Sequence, residues 1–171
     1  METLAISQSR REMNVPPSAL SVITLFQKTA PIDVNGLAKE LGLAVYEDPG
    51  MPSEWSGRIL KDAKHGGHCG YSIIVNAHEA LVRKRFTVAH EIAHYLLHRN
   101  SIGDGLVDDG LYRSGLPTLQ EVHANRLAAD ILMPYSRIED AIRGGAKTID
   151  ALAKIFKVSP QAMSLRLGVP G

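Results

Sequence analysis

The chain has 171 residues, enough for one globular domain with a real core, and its 44% hydrophobic and 22% charged residues are ordinary for a protein folded in water. A formal net charge of +1 gives no global field toward nucleic acid or an anionic membrane, no apolar run is long enough for a bilayer span, and Met1 to Asn14 lack the continuous apolar stretch of a signal peptide. One cysteine, Cys69, excludes an internal disulfide; it reads as an inert residue at a strand start, and the expected compartment is the cytoplasm.

Residues 1–17 are polar, without a sustained period, and end in Pro16-Pro17, so they are expected to form a flexible N-terminal arm. Ser18 can cap a helix running to about Lys28, with Leu20, Ile23, Leu25 and Phe26 supplying apolar surface before Pro31 breaks it. Asp33 begins a second short helix carrying Leu37, Ala38 and Leu41. Gly42 ends it ahead of a strand at Leu43–Tyr46. After an Asp48–Pro52 turn, two further strands are expected at Glu54–Leu60 and Tyr71–Val75, separated by a loop from Lys61 to Gly70. A small antiparallel sheet is the economical arrangement. Tyr71–Val75 is a candidate edge strand, able to pair with an extended chain; the alternative is an ordinary buried strand.

The next element, from about Ala77 to Arg99, contains His90-Glu91-Ile92-Ala93-His94. Residues four apart share a helix face, so His90 and His94 can each turn one imidazole nitrogen to the same metal ion. Glu91 stands about 100° round the helix from His90, placed to act on a water without ligating the metal, which is the position of a general base. Val88, Ala89, Ile92, Ala93 and Leu96 form an apolar stripe on the opposite side, so the helix can pack on a core while its histidines line a cleft. Arg83-Lys84-Arg85, on the first turns, reads as a solvated face rather than a phosphate site.

Residues 100–117 hold four glycines and three aspartates and are expected to form a loop beside the cleft, able to act as a lid. A catalytic zinc needs a third protein ligand. The extended motif with a third histidine fails, since Leu97 and Asn100 occupy the required glycine and histidine positions. His98 lies about 12 Å along the helix from His90, too far to share its ion; it reads as a group supporting a ligand or facing substrate, or as plain surface.

Glu121 is the better candidate, with Asn125 one turn on, on the same face, to hydrogen-bond a ligand, and with small Ala124 and Ala128 allowing close helix approach. Yet Thr118-Leu119-Gln120-Glu121 also fits a capping box, in which Glu121 folds back onto its own backbone. On local sequence the two readings stand equal, with Asp104, Asp108 and Asp109 as reserve ligands. His123 points away from the Glu121 face.

These residues resemble the ImmA/IrrE-type zinc metallopeptidase family. The resemblance rests on Phe86-Thr87-Val88-Ala89-His90-Glu91-Ile92-Ala93-His94 and on Glu121-x-x-Ala124-Asn125 leading into Leu132-Met133-Pro134, with weaker echoes from about Pro31 onward. Leu127 and Asp130 depart from the family's usual phenylalanine and glutamate, which touches packing rather than chemistry. The resemblance implies that His90, His94 and Glu121 bind zinc and that Glu91 activates water. It also implies a dedicated protein substrate, a helix-turn-helix transcriptional repressor or antitoxin, with a toxin role in a toxin–antitoxin pair as an alternative setting.

Pro134 should end the Glu121 helix, and a short helix should reach about Arg143 before Gly144-Gly145. Thr148–Phe156 and Ser159–Leu167 then outline a helix-turn-helix, with Ser159 as cap and Pro160 in the first turn. Lys147, Lys154, Lys157 and Arg166 make a DNA-binding regulator on a metallopeptidase scaffold a competing reading. The second helix nevertheless offers only Gln161, Ser164 and Arg166 to base edges, which favours a packing module.

The expected architecture is thus α+β: a zincin-like metallopeptidase domain over residues 18–143, its small antiparallel sheet packed by helices, followed by a helix-turn-helix-like segment over 144–171. The expected chemistry is peptide hydrolysis, with zinc polarising the carbonyl and acidifying a water whose proton Glu91 takes; manganese or iron could occupy the same ligands. His68, Tyr71, Tyr112, His98 and Arg126 are unranked candidates to stabilise the oxyanion.

Overall fold

The computed structural model describes residues 13–104 and 118–170. Helix α1 (Pro17–Phe26) starts one residue before Ser18: Pro16 takes the N-cap and Pro17 the first turn, where proline's fixed φ is already helical and its missing N–H has no partner to lose. Ala19 and Ile23 turn inward, and Met13 and Val15, at the end of the polar N-terminal segment, are buried with them. In α2 (Val34–Glu40) the Asp33 carboxylate accepts the Gly36 N–H at 2.9 Å, the cap the sequence suggests. Gly42 then turns the chain at φ +85°, a conformation glycine adopts without steric cost. A Cβ there would also stand 2.6 Å from the sulfur of Cys69, an exposed free thiol.

Strands β1 (Leu43–Asp48), β2 (Gly57–Lys61) and β3 (Tyr71–Asn76) form one sheet in the order β1-β3-β2. β2 and β3 are antiparallel, with Ile59 opposite Ile73, but β1 and β3 are parallel, with Val45 opposite the same Ile73. The sheet is therefore mixed rather than wholly antiparallel, and Tyr71–Val75 is its centre, not its edge. The physical reason lies in β3 itself: Ser72, Ile73, Val75 and Asn76 are all buried, so both faces are covered, and such a strand is most stable between two neighbours. β2 is a true edge strand.

Helix α3 (Leu81–Leu97) carries the histidine motif and is shorter at its start than the pattern suggested, because Asn76 Oδ1 accepts the His78 N–H in a turn before it. Its stripe of Val88, Ala89, Ile92, Ala93 and Leu96 is buried as expected, each larger aliphatic side chain contributing roughly 1.5–3 kcal/mol of apolar transfer. Edge strand β2 lies hard against it. A Cβ on Gly57 would meet Thr87 Cγ2 at 2.5 Å and the Ile74 carbonyl oxygen at 2.7 Å.

The basic triplet does not form a uniform solvated face. Lys84 pairs with Glu47 at 2.9 Å, Arg83 donates to Ser56 Oγ, and Arg85 reaches the carbonyls of Phe156 and Lys157. Those carbonyls close α6 (Ile149–Phe156), where the helix dipole favours a cation.

Helix α4 (Leu119–Leu132) packs along α3 and stops before Pro134, and α5 (Tyr135–Arg143) follows. α6 and α7 (Pro160–Leu167) are capped by Thr148 and Ser159 and joined by Lys157 in the left-handed region. Phe156 and Met163 are fully buried, so this pair shares the main core. Arg166 closes the packing with a 2.6 Å ion pair to buried Asp130 and a hydrogen bond to the Met133 carbonyl. Among the described residues no helix is long and apolar enough to cross a membrane.

Candidate metal centre

Where α3 and α4 lie side by side, three side chains converge. His90 Nε2 stands 3.0 Å from His94 Nε2; the Glu121 carboxylate puts Oε2 at 3.1 Å from His90 Nε2 and Oε1 at 3.0 Å from His94 Nε2. These are the residues placed together as a possible metal-holding group. Zinc at its usual bond lengths and tetrahedral angles would hold its donors about 3.3 Å apart, so the donor set fits after an opening of a few tenths of an ångström.

Glu121 also explains why its local sequence read two ways. Thr118 Oγ1 accepts the Glu121 N–H at 3.2 Å, which is half of a capping box, while the Glu121 carboxylate turns to the histidines. Cap and cluster use different atoms of one residue.

Each histidine is held from behind through its other ring nitrogen. His90 Nδ1 lies 2.9 Å from Asn125 Oδ1, so Nδ1–H is donated there and Nε2 is the nitrogen that faces the cluster, donating to Glu121 while protonated and offering its lone pair to a metal ion once that proton is lost. His94 Nδ1 lies 3.1 Å from His98 Nδ1. Burial pushes the His98 pKa down and the neighbouring His94 charge pushes it further, which favours a neutral ring whose Nδ1 can accept a hydrogen bond from His94 Nδ1–H. Burial alone would lower the His90 pKa, but the hydrogen bond to Glu121 and the charges of Glu91 and Glu121 outweigh it and raise it. For Glu121 burial pushes upward, yet hydrogen bonds from both histidines hold its carboxyl far below the ordinary carboxylate range. The trio is thus a compact set of interacting charges in a site where His90 and Glu121 are almost wholly buried.

The cluster opens into a cleft of about 810 Å³ lined by His90, Glu91, Glu121 and Asn125 on one side and by Pro52 to Gly57 on the other. The motif alone does not reveal that second wall. It is built by Asn76, whose amide donates to the Pro52 and Trp55 carbonyls at 3.1 and 2.9 Å, and by Ser56 Oγ, which donates to Glu79 at 2.9 Å and accepts from Arg83. No period or motif marks it in the sequence beyond the single tryptophan, Trp55.

Other candidates lie elsewhere. Asp104 is exposed and outside the cluster, while Asp108, Asp109, Tyr112 and most of the expected lid fall outside the described residues. Tyr71 packs edge-on against Tyr95 at 5.2 Å, and neither it nor His68 lines the cleft. Arg126 lines a neighbouring groove rather than the cleft.

A family model described as Peptidase_M78, the IrrE N-terminal-like domain, matches residues 37–168. Among solved structures, a Mycobacterium tuberculosis transcriptional regulator is similar with a TM-score of 0.59 at 17% identity, over 96% of this chain and 52% of that one. At that identity the likeness is one of fold, and this chain spans about half the length of that structure. No curated protein matches.

Proposed function

The chain belongs to the IrrE N-terminal-like (Peptidase_M78) family, and from that premise we propose that it is a zinc-dependent endopeptidase that cuts a specific intracellular protein, a helix-turn-helix transcriptional repressor or antitoxin. The observation that carries the proposal is the convergence of His90 Nε2, His94 Nε2 and the Glu121 carboxylate at the wall of a cleft that Glu91 also lines.

In this proposal His90, His94 and Glu121 hold the ion, and Asn125 and His98 fix the two imidazoles. Zinc there would polarise the substrate carbonyl and lower the pKa of a water. Glu91 takes the proton from that water as it attacks and passes it to the leaving amine. Its burial keeps competing bulk water away from that transfer. The substrate backbone would lie along edge strand β2, which starts in the cleft wall at Gly57, in place of the buried β3.

The test is metal content together with cleavage of a repressor encoded beside this protein, for wild type, Glu91→Gln and Glu121→Gln. Wild type should bind about one zinc and cut; Glu91→Gln should keep the metal and lose cleavage; Glu121→Gln should lose the metal. Full metal binding by Glu121→Gln would remove it as a ligand, and cleavage by Glu91→Gln would remove the mechanism.

A second reading, a DNA-binding regulator, takes its support from the likeness in fold to a transcriptional regulator. Against it, Arg166, one of the four basic residues of the C-terminal segment, is spent on Asp130 inside the fold. Its signature is duplex binding that falls steeply with salt and is unchanged in Glu91→Gln.

A further inference from the structure

Beside the metal cleft lies a second hollow of about 750 Å³, between the first turns of α3, the middle of α4 and the outer face of α7. The two adjoin. Arg83, Phe86 and Asn125 border both, so the second hollow lies on the side of the cleft nearer the start of α3.

The floor of the second hollow is apolar: Val82, Phe86, Ala129, Met133, Ala162 and Leu165 line it, the last 76% exposed. Its rim is positive chiefly through Arg126. Arg126 and Arg83 stand on exposed positions, Arg83 turning toward Glu79 at 3.8 Å and Ser56 Oγ, and no aspartate or glutamate lines the hollow among the described residues. Arg166, which also borders it, is committed to Asp130. An apolar floor under a positive rim matches an apolar side chain flanked by carboxylates. A nucleic-acid backbone would meet the rim charges but offer nothing to that floor.

We propose that this groove is the specificity subsite of the enzyme, binding a substrate segment in which an apolar residue is flanked by acidic ones. The distance sets its register: Val82 is eight residues before His90, a rise of about 12 Å on the helix. An extended chain covers that span in three to four residues. The anchor residue therefore sits three to four positions from the bond to be cut. The register rests on the peptidase reading; occupancy of the groove does not.

The experiment uses zinc-loaded Glu91→Gln protein, which should bind without turnover, and fluorescein-labelled glycine-flanked peptides with central Glu-Leu-Glu, Lys-Leu-Lys or Glu-Ser-Glu, read by anisotropy. The first should bind at least about tenfold tighter than the other two, a difference of about 1.4 kcal/mol. Adding Arg126→Glu should reverse the order of the acidic and basic leucine peptides, and adding Leu165→Asp should abolish the advantage of leucine over serine. Both positions are exposed, so the fold should survive; unchanged circular dichroism confirms it.

Equal affinities for the three peptides, or an order untouched by Arg126→Glu, would overturn the proposal. So would displacement of the acidic peptide by duplex DNA with the same sensitivity to Arg126→Glu, which would make this a nucleic-acid face. If the peptides bind in the expected order while wild type cuts no protein, the groove stands and the hydrolase reading falls. If wild type cuts a protein whose residues three and four positions from the cut are basic or polar, the assignment of this groove falls and the hydrolase stands.

Discussion

Asn125 is exposed and carries no reacting group, yet its side-chain oxygen lies 2.9 Å from His90 Nδ1. That contact selects which ring nitrogen of His90 keeps its lone pair for the cluster. Asn125→Ala should weaken zinc binding by about 10–100-fold, the usual effect of removing a group that orients a ligating histidine, with little change in folding stability. Asn125→Asp should retain most of the affinity, since a carboxylate still accepts the Nδ1–H. Competition with a chelator of known affinity checks both, and an alanine variant that binds zinc like wild type would show that the imidazole is held by packing alone. Glu121 shows the limit of local sequence at this scale. Its N–H serves a helix cap and its carboxylate faces the histidines, and only the approach of α3 to α4 decides where the carboxylate goes.

Edge strand β2 reaches the metal helix only because Gly57 has no side chain. An added methyl group meets Thr87 Cγ2 and, less forgivingly, the backbone oxygen of Ile74 in the neighbouring strand. Gly57→Ala should therefore cost about 1–3 kcal/mol and push β2 away from α3, the penalty of overfilling a packed contact. The midpoint of denaturant unfolding measures the cost, and an unchanged midpoint would mean that the strand yields freely. Elements with a period or a cap were legible in the sequence: α3 from its apolar stripe, α2 from Asp33, and α6 and α7 from Thr148 and Ser159. The order of the strands was less so. Proximity in sequence suggested antiparallel neighbours, but β1 pairs in parallel with β3, across a contact that no turn specifies. One clue was present: Ile73-Ile74-Val75 is continuously apolar, the pattern of a strand covered on both faces. The Pro52–Gly57 wall of the cleft was not legible, because it depends on Asn76 reaching carbonyls more than twenty residues away in the chain.

Across the whole molecule, the C-terminal helix pair is attached to the metal-site scaffold by charges buried at the joint. Asp130 lies on the same helix as Glu121, about 13 Å further along, and its 2.6 Å pair with Arg166 ties α7 to α4. Tyr135 completes the joint: the Arg166 guanidinium lies 4.0 Å from its ring centroid, and its hydroxyl donates to the Arg166 carbonyl at 2.9 Å. Both charges are removed from water, so their attraction largely offsets desolvation and the intact pair contributes little net stability; losing one partner is what costs. Arg166→Met keeps a comparable apolar stem but leaves the Asp130 carboxylate buried without the guanidinium, and should destabilise the protein by about 3–5 kcal/mol. In a chain of this length that lowers the thermal midpoint by roughly 10 °C. Combining Arg166→Met with Asp130→Leu removes both charges and should recover most of the loss. Thermal unfolding of the two variants in chelator decides the matter. If the single variant unfolds like wild type, water reaches the joint and the C-terminal pair is only loosely docked. If the double variant is no better than the single, the loss comes from packing of the arginine stem rather than from the broken ion pair.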